Sequence, residues 1–158
     1  MKFSDILSGF RQGNTTARSH MKNLIEMAAA DGTFVPSEMD LLHDIAKRNG
    51  ISEKQIADIR KNPSAVKFEL PSDSKEKFSQ LFDLALMMSV DKSVHVEERR
   101  LCTLFAIKFG YKRENVTDLV TTIQANINSG RGVDETMKRC ADECRRCAES
   151  CAQMANAA

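Results

Sequence analysis

The chain has no tryptophan, one tyrosine (Tyr111), three prolines and seven glycines. With so few backbone breakers, long helices can run uninterrupted. An excess of either charge is missing too: 23 basic against 22 acidic residues leave a formal net charge of +1. No global field then favours nucleic acid or an anionic membrane, and neither is expected as a partner. Long apolar runs are absent. No stretch of about 18 apolar residues exists to cross a bilayer, so membrane insertion is not expected. The opening "MKFSDILSGFRQG" is interrupted by Asp5, Ser8 and Arg11 and does not form the apolar segment of a secretory leader. The expected compartment is the cytoplasm, where thiols stay reduced.

What is present reads as helix. The 158 residues, 42% hydrophobic and 28% charged, suit one compact domain with a sizeable core. Apolar positions recur at helical spacing, as in Leu41, Leu42, Ile45 and Ala46, or Phe78, Leu81, Phe82, Ala85 and Met88. Nothing alternates over a strand's length. The fold expected is all-α, a single bundle of roughly seven or eight helices. Gly13 and Asn14 are expected to end a short first helix, and a second to run from Thr16 to Asp31. Pro36 or Ser37 opens a third that Gly50 closes, and Ser52 with Gln55 makes a capping-box start for a fourth. Further helices are expected over 72–90, 96–110, 112–128 and 134–155. Residues 1–130 form the main domain and 131–158 a C-terminal cysteine-rich helix, packed on it or extending from it.

The chain also repeats itself. Shifted by sixty residues, "MAAADGTFVPSEMDLLHDIAKRNGIS" (27–52) falls without a gap on "MMSVDKSVHVEERRLCTLFAIKFGYK" (87–112). Met27 meets Met87, Asp31 meets Asp91, Glu38 meets Glu98, Leu41 meets Leu101, Ala46 meets Ala106 and Gly50 meets Gly110. A duplicated helix-loop-helix unit packing about a pseudo-twofold axis is the simplest expectation.

Each copy pairs an Asp at a helix end with a Glu in the first turn of the next helix. The structural reading is loop tethering by Asp31 and Asp91, and a favourable helix N-terminus for Glu38 and Glu98. The functional reading is a metal or ligand site built from all four carboxylates. An EF-hand loop is excluded, because Met27 and Ala29 would occupy ligand positions that need oxygen. A helix ending "A-A-D-G", a short loop, then "E-x-x-L-L-x-x-I-A" and a glycine, present twice, resembles the TerB-like family of tellurite-resistance proteins over about residues 15–128. That resemblance implies an all-helical bacterial cytoplasmic domain tied to metal or metalloid stress. It would bind a partner or sense a metal rather than catalyse, with Asp31, Glu38, Asp91 and Glu98 as its acidic residues.

Four of the five cysteines fall within "CADECRRCAESCAQM", as Cys140, Cys144, Cys147 and Cys151. On a helix they lie within about 60° of one another, and Met154 prolongs the stripe. They form the seam of an amphipathic helix, so one reading is packing, since free Cys behaves as a small hydrophobe. The other is soft-metal binding. Thiolates suit Cu(I), Zn(II) or iron–sulfur clusters. Cys140 and Cys151 are about 16 Å apart along an unbroken helix, too far for one tetrahedral zinc to take all four thiolates. A Cys140/Cys144 or Cys147/Cys151 pair can hold a two-coordinate ion, and thiolates from a second copy, through self-association of this helix, could complete larger sites. Redox sensing would use the same thiols. The pattern "C-x-x-x-C-x-x-C-x-x-x-C-x-x-M" resembles the cysteine-rich helices of four-helix-bundle copper-binding and copper-storage proteins. By that resemblance Cys140, Cys144, Cys147, Cys151 and Met154 are ligands.

The three histidines are scattered. His43 shares a solvated face with Asp40 and Asp44, and His95 sits beside the second acidic pair, where it is a further candidate ligand. No phosphate loop, Ser-His-Asp order or H-E-x-x-H occurs, so no catalytic residue is assigned. The function expected is non-catalytic metal or metalloid resistance with a soft-metal or thiol-sensing terminal helix. The competing expectation is a scaffold that binds an unidentified protein, its cysteines merely packing.

Overall fold

The computed structural model describes the backbone of residues 3–30, 32, 34–90 and 96–143, with side chains from 15 to 140 within those ranges. Among the described residues the structure is all-helical and has no strand. Its helices are α1 (Phe3–Ala28), α2 (Pro36–Arg48), α3 (Glu53–Lys61), α4 (Ser74–Ser89), α5 (Val96–Lys108), α6 (Arg113–Asn128) and α7 (Val133–Glu143), with a 3₁₀ turn at Pro63–Ala65.

The expected break at Gly13 and Asn14 does not occur: α1 is one helix of 26 residues. A glycine inside a helix costs about 1 kcal/mol, whereas interrupting the helix means nucleating a second one. Further along, α1 buries Ala17, Met21, Leu24, Ile25 and Ala28. Other ends follow local chemistry. Pro36 occupies the first turn of α2. At α3 the Gln55 amide donates to Ser52 Oγ at 3.2 Å and the Ser52 amide to Gln55 Oε1 at 2.9 Å, completing the capping box. Ser52→Ala is expected to lower stability by about 1 kcal/mol, checked by chemical denaturation.

Sixty positions apart, α2 and α5 each span thirteen residues and end the same way. Gly50 and Gly110 take φ of 71° and 97°, a region that glycine enters without penalty. The Ile51 and Tyr111 amides then reach back to the Ala46 and Ala106 carbonyls at 2.9 and 3.2 Å. This is the Schellman arrangement, which satisfies carbonyls left open at a helix end.

Helix α4 is the axle of the bundle. Phe78, Leu81, Phe82, Leu84, Ala85, Met87 and Met88 are buried around almost its whole circumference, as expected of a helix enclosed on all sides. It packs against α1, α2, α5, α6 and α7. After the short connection at 129–132, α7 folds back on α6 and α4. None of the helices is long and apolar enough to cross a membrane, among the described residues.

Candidate functional site

Helix α7 meets the bundle along one face. Thr136 and Cys140 are fully buried there, while Val133 and Met137 pack partly buried against the core. On the outer side, Glu135 lies 3.8 Å from Arg131 and 3.7 Å from Arg139, pairs at helical i,i+4 spacing. Positions 133, 136, 137 and 140, buried or partly so, span about 100° of the helical wheel. Cys140 is the one candidate thiol ligand of the terminal stripe among the described residues, and it is seated in the core. Cys144, Cys147, Cys151 and Met154 lie outside the described residues.

Cys102, the remaining thiol, is buried on α5 at the position equivalent to Leu42 of α2, which is also fully buried. Burial pushes its thiol up to about 12, with Arg99 pulling weakly the other way. A thiol must lose its proton to ligate a metal, and burial opposes that loss. It is packed into the core as a small hydrophobe.

The acidic residues divide. Glu38 and Glu98 are buried, at 1% and 2% exposure, in the first turns of α2 and α5. That placement fits the helix N-terminal reading, where free amides favour a carboxylate. Asp31, Asp91 and His95 lie outside the described residues. Among the described residues no three His, Cys, Asp or Glu side chains converge as a metal site.

One constellation was not foreseen. His20 of α1, 1% exposed, meets Asp83 of α4, 3% exposed, with Nε2 2.9 Å from Oδ2. Arg48, in the last turn of α2, donates to the same oxygen from a side chain 58% exposed. A cleft of about 290 Å³ lies against them, with Thr16, Glu76, Ser79 and Gln80 in its wall. Since a carboxylate only accepts, the His20 proton belongs on Nε2. The signal in the sequence was Asp83 itself, alone among the apolar residues of "LFDLALMM". A buried carboxylate needs a partner.

A family model described as copper storage protein (Csp) matches residues 99–156. That span holds α5 from Arg99 onward, all of α6 and α7, and all five cysteines. No curated protein matches, and no solved structure does. The resemblance of residues 15–128 to tellurite-resistance proteins draws no support from these comparisons.

Proposed function

We propose that this protein is a non-catalytic copper-holding protein, binding Cu(I) through the terminal thiol stripe Cys140, Cys144, Cys147 and Cys151, with Met154 as a soft supplementary donor. The observation that carries this reading is the copper-storage match over 99–156, which takes in every thiol of the chain. Chemistry supports it. Sulfur ligands select soft ions, and a linear pair of thiolates one helical turn apart suits Cu(I) better than a four-coordinate zinc does. Each ligating thiol releases its proton, so uptake is accompanied by acidification. Cys102 is left out of the ligand set because it lies on α5 and not on the terminal stripe.

The terminal helix supplies thiols from one side only, and a second copy facing it would supply the others. The duplication of 27–52 in 87–112 belongs to the same proposal, as the origin of a bundle able to seat this helix. It is supported by the matched ends of α2 and α5. A packing role for the cysteines has one observation in its favour, the complete burial of Cys140 within the apolar core.

The deciding experiment is an anaerobic titration of the reduced protein with Cu(I) against a competing chelator, beside the variant with Cys140, Cys144, Cys147 and Cys151 all changed to Ser. Stoichiometric uptake by the wild type, abolished in the variant, is expected. Equal, negligible uptake by both would leave the cysteines as packing.

A further inference from the structure

We propose that Thr136 is a positioning residue for Cys140, its hydroxyl donating a hydrogen bond to the Cys140 sulfur once that sulfur is a metal-bound thiolate. The inference rests on the copper reading above and assigns a role to a residue outside the ligand set. Thr136 and Cys140 are one turn apart on α7 and both are 0% exposed. Among the described residues the Thr136 hydroxyl has no hydrogen-bond partner.

That is unusual within this protein. A helical Ser or Thr ordinarily turns its hydroxyl to the carbonyl four residues back. Ser89 does so to Ala85 at 2.9 Å, Thr103 to Arg99 at 3.0 Å and Ser129 to Ala125 at 3.0 Å. For Thr136 that carbonyl belongs to Gly132, which accepts the Thr136 amide at 3.0 Å, but the hydroxyl is not on it. A buried donor without an acceptor is unfavourable, and use in another state of the protein is one explanation for it.

The helix itself supplies the acceptor. Side chains at i and i+4 stand with Cβ atoms about 5–6 Å apart, and the later one leans back over the earlier turn. The Cys140 sulfur therefore overhangs Thr136, within reach of a rotation about the threonine Cα–Cβ bond. A neutral thiol is a weak acceptor and a thiolate a strong one. The bond is consequently stronger in the loaded state than in the free one, as with other outer hydrogen bonds that tune a metal site.

The test uses the full chain carrying Cys147→Ser and Cys151→Ser, which leaves the Cys140/Cys144 pair for one Cu(I). Competition with a Cu(I) chelator should show Thr136→Val binding about 3- to 10-fold more weakly, the range of a single hydrogen bond. Thr136→Ser, which keeps the hydroxyl, should restore affinity to within about twofold. Adding Cys140→Ser should abolish the difference between Thr and Val at 136. In the metal-free protein Thr136→Val should melt at a higher temperature, because an unmet polar group has been removed. Equal Cu(I) affinity of the Thr and Val proteins overturns this inference alone. Failure of both to take up Cu(I) overturns the copper reading and this inference with it.

Discussion

Asp83→Ala is expected to lower the free energy of unfolding by about 2–3 kcal/mol, out of the roughly 5–15 kcal/mol that holds a domain of this kind together. The loss comes mainly from one side of the carboxylate. His20 is 1% exposed, and without Asp83 its Nε2 proton is buried with no acceptor, at a cost of about 1–3 kcal/mol. Removing the carboxylate also leaves a small void beside α1. The Arg48 side adds little. Its guanidinium is more than half exposed, so water and salt screen the pair to under about 1 kcal/mol. Three variants therefore separate the contributions. Asp83→Asn, which keeps an acceptor facing His20, should cost less than Asp83→Ala. Arg48→Ala should cost less again. The double change His20→Leu with Asp83→Leu should cost less than the two singles added together, because each single strands a buried polar group that the pair removes. Urea denaturation of these variants, with His20→Leu and Asp83→Leu as the singles, checks the order. An Arg48→Ala effect as large as that of Asp83→Ala would mean the ion pair, not the buried histidine, is what Asp83 serves.

The same cluster shows where reading the sequence succeeds and where it stops. Local signals placed the helices closely: Pro36, the Ser52/Gln55 box and the closing Gly50 all act as their chemistry requires. They act within a few residues of themselves, so a linear reading finds them. Gly13 was misread for the same reason. Its local preference is to end a helix, but the cost is small beside the cooperative gain of a continuous α1. His20 and Asp83 meet across sixty-three residues, through the packing of α1 on α4. Periodicity places each on the buried side of its own helix without saying that the two sides face each other. Cys140 lies between these cases. Its place on an apolar stripe was legible, while its complete burial depends on α7 folding back onto α6 and α4. Asp31, Asp91, Cys144, Cys147, Cys151 and Met154 stand as sequence expectations.

Cys102 supplies the second large effect, which appears in alkali. Its thiol is fully buried and is pushed from an ordinary 9.0 up to about 12, because the thiolate would sit without water in the core, with Arg99 opposing this. When a folded group holds its proton more tightly than the unfolded chain does, the associated stability is complete below the unfolded value and is lost as pH rises toward the folded one. The window runs from about pH 9 to about pH 12, and the loss across it is about 4 kcal/mol. Lysines and Tyr111 titrate in the same range, so the measurement is a difference. Wild type and Cys102→Val, both reduced, are compared by denaturant unfolding at pH 8, 9, 10 and 11. Valine carries no proton and fills nearly the same volume, so the stability gap between the two should move in its favour as pH rises. Below pH 9 the gap should be flat. A gap that is already changing near pH 7 would mean that the Cys102 thiolate is stabilised in the fold, contrary to its burial in the core. A flat gap through pH 8 followed by a steep one keeps the two kinds of cysteine distinct. The buried thiol of α5 then stabilises the bundle by remaining protonated.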